Sequence, residues 1–285
     1  MRSQSERLYI FHRALRSVNC ERSTDLLWSG SQSHERLLSG RVALVTGGAR
    51  GLGRAIGEAF AAAGAKGALL DLPDSLASST PPDGFFQHAA DVTDESHLAA
   101  AVAEVTARFG RLDIVVANAG LVPPWRDTGA LDMAEWDRVF AVNVRGVAAT
   151  LKHAAPAMRQ SGGAMIVMCS INSFRAAPGQ MLYTASKHAA LGIVRAAALD
   201  LGPHGIRVNG LAPGPIATEA LLERLDYRAS IGGPSPADAL AAFGSETALR
   251  RMATAGEVAN AAVFLASDLS AGITGCLFPV DAGLA

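Results

Sequence analysis

Val42-Ala43-Leu44-Val45-Thr46 runs straight into Gly47-Gly48-Ala49-Arg50-Gly51-Leu52-Gly53. The first residues are apolar or β-branched, as in a buried strand, and the Ala-rich stretch Ala55–Ala63 behind the glycines reads as a helix. Gly47 allows a tight turn, Gly51 lets the backbone approach a pyrophosphate, and Gly53 allows close contact between helix and strand. The helix N-terminus then aims unpaired N–H groups and the positive end of its dipole at the phosphates. Arg50 and Leu52 lie in the same loop and belong to the same candidate site. A glycine-rich turn alone is weak evidence. Between a first strand and a first helix it points to a dinucleotide.

Outward from this unit the pattern repeats. Strands are predicted at Val42–Val45, Ala68–Leu70, Phe85–His88, Ile114–Ala117, Ala164–Met168, Val208–Leu211 and Leu277–Val280. Helices are predicted at Ala55–Ala63, Ser96–Phe109, Met133–Arg159, Tyr183–Leu201 and Glu257–Ala266. Seven short strands with helices between them make an α/β doubly wound sheet. No internal repeat and no second domain interrupts residues 40–285. The Gly/Pro/Ser-rich segment Ser230–Ser245 reads as a mobile insertion, and its composition fits a lid that orders on binding. Residues 1–39 differ in texture, being rich in Arg and Ser. Leu8, Phe11, Leu15 and Val18 recur at helical spacing with Arg7, Arg13 and Arg16 between them, which suits a targeting or partner helix. Glu6, Glu21, Asp25 and Glu35 weaken a transit-peptide reading, and a poorly ordered extension is the preferred expectation. His12-Arg13 cuts off the apolar residues Leu8 to Phe11, so no signal-peptide core forms.

Composition narrows the partners. The chain has 285 residues, 49% hydrophobic and 18% charged, which suits a compact globular protein. A formal net charge of -1 gives no reason to expect nucleic acid or a membrane surface as partner. Cys20, Cys169 and Cys276 are odd in number and far apart. They suggest neither a disulfide framework nor a zinc site, and a reducing, cytoplasmic setting is the simplest. The seven histidines include no metal-binding motif, so no metal is expected. No apolar run approaches the roughly 20 residues of a membrane-spanning helix.

Asp71 ends the second strand, where an acidic side chain can hydrogen-bond the adenosine ribose hydroxyls. The same carboxylate repels a 2′-phosphate, by roughly 4 kcal/mol for two charges ~4 Å apart at an effective dielectric near 20. Arg50 pulls the other way, but Leu72 and Pro73 add no second positive charge. NAD is therefore expected over NADP. Further along, Tyr183-Thr184-Ala185-Ser186-Lys187 puts a phenol and an ammonium one helical turn apart. A nearby cation favours the phenolate, which makes tyrosine a usable base toward an alcohol oxygen. Alone, such a pair is better explained as a surface pair with a core-facing tyrosine.

Taken together these motifs resemble the short-chain dehydrogenase/reductase family over essentially all of residues 40–285. The glycine loop matches Thr-Gly-x-x-x-Gly-x-Gly. Asp91-Val92 resembles the family's adenine-contacting pair, and Asn118-Ala119-Gly120 its strand-four motif, with Ala117 replacing the usual first asparagine. Asn143 matches the helical asparagine of the family's proton relay. Ser170 precedes Tyr183 by thirteen residues, as the family's catalytic serine does. Pro213-Gly214, Ile216 and Thr218 resemble the segment that touches the nicotinamide carboxamide, and Val280-Asp281-Ala282-Gly283 the C-terminal signature.

The resemblance implies a single Rossmann-type domain with a mostly parallel seven-stranded sheet, and an NAD-dependent enzyme acting on a secondary alcohol or ketone. Tyr183 is expected as acid/base and Ser170 as hydrogen-bond donor to the substrate oxygen. Lys187 is expected to tune Tyr183 and bind the nicotinamide ribose, and Asn143 to hold a relay water. A homotetramer or dimer is implied, with the predicted helices Met133–Arg159 and Tyr183–Leu201 as interface candidates. Substrate walls are expected from Val122, Trp125, Phe174, Met181, Ile216 and Leu221, which suits an apolar or cyclic alcohol or ketone. Asn172 either binds a second polar group of the substrate or closes a turn. An NADPH-dependent 3-oxoacyl-thioester reductase is the alternative enzyme; Asp71 opposes it, while Arg126, Arg145 and Arg175 leave it open. A dinucleotide-sensing regulator is the non-enzyme alternative, and such a protein is expected to have a broken Ser/Tyr/Lys set.

Overall fold

The computed structural model describes residues 37–284. The strands are β1 (Val42–Thr46), β2 (Lys66–Asp71), β3 (Phe85–Ala89), β4 (Ile114–Ala117), β5 (Gly163–Met168), β6 (Ile206–Pro213) and β7 (Leu277–Val280). They form one seven-stranded sheet in the order β3-β2-β1-β4-β5-β6-β7 with every pairing parallel. The helices between them are α1 (Gly51–Ala62), α2 (Pro73–Ala77), α3 (Glu95–Phe109), α4 (Met133–Phe140), α5 (Val147–Met158), α6 (Met181–Leu201), α7 (Glu219–Ser230), α8 (Pro236–Ser245) and α9 (Ala255–Ala266).

Strand alternation explains the layers. Leu44, Leu70, Val115 and Val167 face a core built with α3, α5 and α6. Their neighbours Ala43, Val45, Leu69, Val116 and Ile166 face a second core built with α1 and α9. A parallel sheet covered on both faces needs such continuous apolar strands. The strand order reverses between β1 and β4, and that switch point opens a crevice at the carboxyl ends of the strands.

Three expectations change. The long helix predicted over Met133–Arg159 is interrupted by a π-helical stretch, Ala141–Gly146. Gly146 permits a close approach there, because a Cβ on it would lie 2.8 Å from Val92. Ser230–Ser245, read as a mobile insertion with no helix assigned to it, contains α8. Its start is specified locally: the Ser235 side chain accepts from Asp238 N, and Pro236 occupies the first turn. The extension expected over residues 1–39 lies up to residue 36 outside the described residues, but Leu38 is fully buried and its N–H donates to Ala63 O at 2.9 Å. The packed domain therefore includes Leu38.

Candidate active site

The glycine loop is shaped as its sequence requires. Gly47 and Gly51 have φ of +64° and +56°, in the region that favours glycine. A Cβ on Gly53 would sit 2.0 Å from Gly47 O, whereas one on Gly51 would meet nothing within 4 Å. The loop is thus tight against β1 at Gly53 and open to the crevice at Gly51. Arg50 is the N-cap of α1 and makes no side-chain cap, so it leaves the first-turn N–H groups, which have no intrahelical partner, without a capping bond from its side chain. These residues fit a dinucleotide pyrophosphate.

Asn118 and Thr46 hold that loop. Asn118 Nδ2 donates to Thr46 O at 2.9 Å and to Gly47 O at 3.0 Å. Thr46 Oγ1 accepts from the backbone N–H groups of Asn118 and Ala119 at 3.0 and 3.1 Å. The clasp joins the ends of β1 and β4 across the switch point, so Asn118 acts through the loop. It also shows that Ala117, in place of the family's usual asparagine, leaves the junction bonded. Asp71 lies at the end of β2, where Oδ2 accepts from Ala49 N at 3.0 Å and Oδ1 from Leu72 N at 2.8 Å. Those two bonds aim the carboxylate at the rim of the glycine loop. Asp91 Oδ1 accepts from Thr93 N at 2.8 Å, and Val92 is buried beside Gly146.

On the other side of the crevice, β5 leads into Ser170. Ser170 caps the short turn Ile171–Ser173, with Oγ accepting from Asn172 N at 3.2 Å. Asn172 Nδ2 donates to Gln180 Oε1 at 2.7 Å and to Thr184 Oγ1 at 3.2 Å, fastening this turn to the start of α6. One turn further, the buried Lys187 Nζ donates to Met168 O at 2.7 Å and lies 5.7 Å from the Tyr183 ring centre. Two bridges therefore tie Tyr183 and Lys187 to the strand end that carries Ser170. Cys169 is buried beside them, and burial pushes its thiol pKa up, which disfavours the thiolate.

Asn143 lies within the π-helical stretch and is fully buried. Its Oδ1 accepts from Leu121 N at 2.7 Å, and Nδ2 donates to Leu121 O at 2.8 Å and Ser186 Oγ at 3.2 Å. A π-bulge that redirects a buried polar side chain is a common device at functional sites. Gly120 faces Asn143 and Lys187 together, since a Cβ on it would lie 3.3 Å from Asn143 Oδ1 and 3.7 Å from Lys187 Nζ.

Pro213 ends β6, and Gly214 N donates to Val280 O at 3.0 Å. Thr218 is the N-cap of α7. Of the expected walls, Ile216 is buried within the core because it follows the apolar end of β6, while Val122, Phe174 and Met181 remain exposed. The three arginines considered for an acidic carrier are engaged. Arg126 pairs with Glu135 at 3.0 Å, Arg145 with Glu95 at 3.4 Å, and Arg175 donates to Leu284 O at 2.9 Å. The side chains of Thr46, Gln180 and Arg224 carry no functional signal in the sequence. Thr46 directly precedes the glycine loop, but a hydroxyl shared by two backbone N–H groups leaves no periodic signal. Among the described residues no group of three or more His, Cys, Asp or Glu side chains is placed to hold a metal, and no helix is long and apolar enough to cross a membrane.

The family model described as "Enoyl-(Acyl carrier protein) reductase" matches residues 47–285. Short-chain dehydrogenase reductase 5 of Arabidopsis thaliana is 38% identical over 254 residues, covering 86% of this chain and 95% of that protein. The chain belongs to the short-chain dehydrogenase/reductase family. Another relative within it is the mitochondrial (-)-isopiperitenol/(-)-carveol dehydrogenase of Mentha piperita, 38% identical over 257 residues, with 87% of this chain and 94% of that protein covered. Among solved structures, levodione reductase superposes with a TM-score of 0.79 at 34% identity, covering 86% of this chain and 97% of that one. Carveol dehydrogenase from Mycobacterium avium, solved in complex with NAD, gives 0.81 at 31% identity, covering 87% and 98%. As a short-chain dehydrogenase/reductase the protein is an alcohol/ketone oxidoreductase that uses a nicotinamide cofactor and a small-molecule substrate.

Proposed function

We propose that this protein transfers a hydride between NAD and a cyclic secondary alcohol or ketone. The observation that carries the reading is the double bridge from the β5 end to α6. Lys187 on Met168 O and Asn172 on Thr184 hold Ser170, Tyr183 and Lys187 as one unit beside the glycine loop. A bound nicotinamide supplies the acceptance and delivery of hydride. In oxidation Tyr183 Oη takes the hydroxyl proton, and in reduction it returns that proton to the carbonyl oxygen. Ser170 Oγ donates to the same oxygen and stabilises charge developing there. Lys187 supplies a fixed positive charge near Tyr183 and a donor for the nicotinamide ribose. Asn143 holds a water that links Lys187 to solvent, and the bare Gly120 leaves the gap between them clear.

NAD over NADP rests on Asp71, whose carboxylate is held at the loop rim. Gly47, Arg50, Gly51, Leu52, Gly53, Asp91, Val92, Ala119, Gly120, Pro213, Gly214, Ile216 and Thr218 complete the cofactor cleft in this reading, Asn118 as its clasp. The cyclic substrate is supported by relatives named for carveol, isopiperitenol and levodione, and by the exposed apolar rim of Val122, Phe174 and Met181. The reading also includes a tetramer or dimer, which light scattering checks, and a cytoplasmic location, which fractionation checks.

The deciding experiment follows NADH absorbance with purified protein, both cofactors and a panel of cyclic, aliphatic and acyl-thioester substrates. Turnover of cyclic alcohols or ketones with NAD(H) is expected. A clear preference for NADP would remove the cofactor assignment. Turnover confined to acyl thioesters would replace the substrate class.

A further inference from the structure

Two guanidinium groups from α7 lie over one indole at the rim of this site. Arg224 Cζ stands 4.0 Å from the Trp125 ring centre and Arg228 Cζ 5.2 Å from it. The two are one helical turn apart, so they share a face of α7. Trp125 comes from the segment after β4, and its neighbour Arg126 is neutralised by Glu135 at 3.0 Å. Neither Arg224 nor Arg228 joins an ion pair among the described residues.

Arg224 is the one of the two with a buried donor left unpaired. Its only hydrogen bond among the described residues runs from Nη2 to the carbonyl of Pro123 at 3.1 Å, and its Nε is buried with no partner. Pro123, which accepts that bond, lines a small cavity together with Tyr183; Arg224 does not itself line it but lies beside it, close enough to feel the Tyr183 charge. Burial pushes the guanidinium pKa down, while the nearby Tyr183 pulls it up. Arginine nevertheless stays charged in proteins. A desolvated cation without an anion is unfavourable, and a carboxylate with two coplanar acceptors completes a guanidinium edge.

We propose that Arg224 determines specificity by binding a carboxylate that the substrate carries away from its reacting carbon, with Arg228 reinforcing the positive field. The substrate class is then a cyclic hydroxy or oxo acid. This rests on the oxidoreductase reading above for the reacting end of the molecule only. The Trp125 ring covers the guanidinium at 4.0 Å, and Nη1, which makes no hydrogen bond among the described residues, is the nitrogen left for the ligand beside the partly used Nη2.

The test separates binding from turnover. Cyclohexanecarboxylate and its methyl ester are titrated calorimetrically into the protein–NADH complex. The acid is expected to bind at least about 10-fold tighter, the scale of one hydrogen bond to a charged group. That ratio should fall toward unity in Arg224→Gln and be partly kept in Arg224→Lys. In parallel, the reduction of 3-oxocyclohexanecarboxylate and its methyl ester gives the same ratio in kcat/KM. Equal or tighter binding of the ester by the wild type overturns the proposal, as does an Arg224→Gln variant that retains the wild-type ratio. The wild-type comparison decides even where a variant does not fold. Acid-selective binding without reduction of either ketone supports the Arg224 site and counts against the cyclic-ketone reading instead.

Discussion

The Lys187 ammonium lies 5.7 Å from the centre of the Tyr183 ring and is fixed there by its bond to Met168 O. Its position is set by the strand that carries Ser170 and does not depend on Tyr183 alone. Charge and phenol are thus held in place before substrate arrives, which is what proton transfer needs. Tyr183→Phe removes one oxygen and leaves this frame intact. Its turnover is expected to fall by roughly 10²–10⁴-fold, the range of general acid–base catalysis, while NADH binding, read by fluorescence, stays close to wild type. A variant with near-normal turnover would end the assignment of Tyr183.

Asp71 is oriented by the N–H groups of Ala49 and Leu72, so its charge is fixed at the loop rim. Asp71→Ser keeps a small polar group and removes the repulsion of a 2′-phosphate. The kcat/KM ratio of NAD to NADP is expected to drop by at least about 10-fold, since unit charges near a protein surface interact by a few kcal/mol at ~4 Å. An unchanged ratio would mean that Asp71 does not read the ribose.

Much of this was legible from the chain because it is carried by local chemistry. The strand of Val42–Val45, the glycines behind it and the apolar runs that follow specify a parallel sheet through alternation and length alone. Ile114–Ala117 and Leu277–Val280 were read to the residue. The helix at Pro236–Ser245 escaped because its Gly/Pro surroundings suggested a loop, although Ser235, Pro236 and Asp238 spell a helix start. The break at Ala141–Gly146 escaped for another reason. It arises from the bonds of Asn143 to Leu121 and the approach of Gly146 to Val92, and neither contact is local in sequence. Arg224 over Trp125 joins residues about a hundred positions apart, so only the fold reveals it.

Gly53 and Gly51 separate two uses of glycine in one loop. Gly53→Ala would force a Cβ to 2.0 Å from Gly47 O and 2.5 Å from Asn118 Nδ2, against the clasp itself. Loss of NADH binding and a clearly lowered melting temperature are expected. Gly51→Ala meets no atom but keeps a left-handed φ of +56°, a strain of roughly 1–2 kcal/mol. That variant is expected to fold and to bind NADH more weakly than wild type. Equal behaviour of the two in thermal melts would show that steric contact at Gly53 is not what shapes the loop.

Glu95 ties α3 to α5 through Lys152 Nζ at 2.5 Å and His153 Nε2 at 3.0 Å. The hydrogen bond from Lys152, then that from His153, lower its carboxyl pKa from 4.5 to about 2. The folded value is below the unfolded one, so the stabilisation is complete above 4.5 and disappears as pH falls toward 2. Glu95→Gln is therefore expected to melt below wild type near neutral pH, with a gap that closes across that acid window. The gap should be small, because the side chain is 35% exposed and solvent screens the pair. A gap that stays constant from neutral to acid would assign the loss to packing between α3 and α5. Only the pH-dependent part measures the charge, since a glutamine fills nearly the same volume without it.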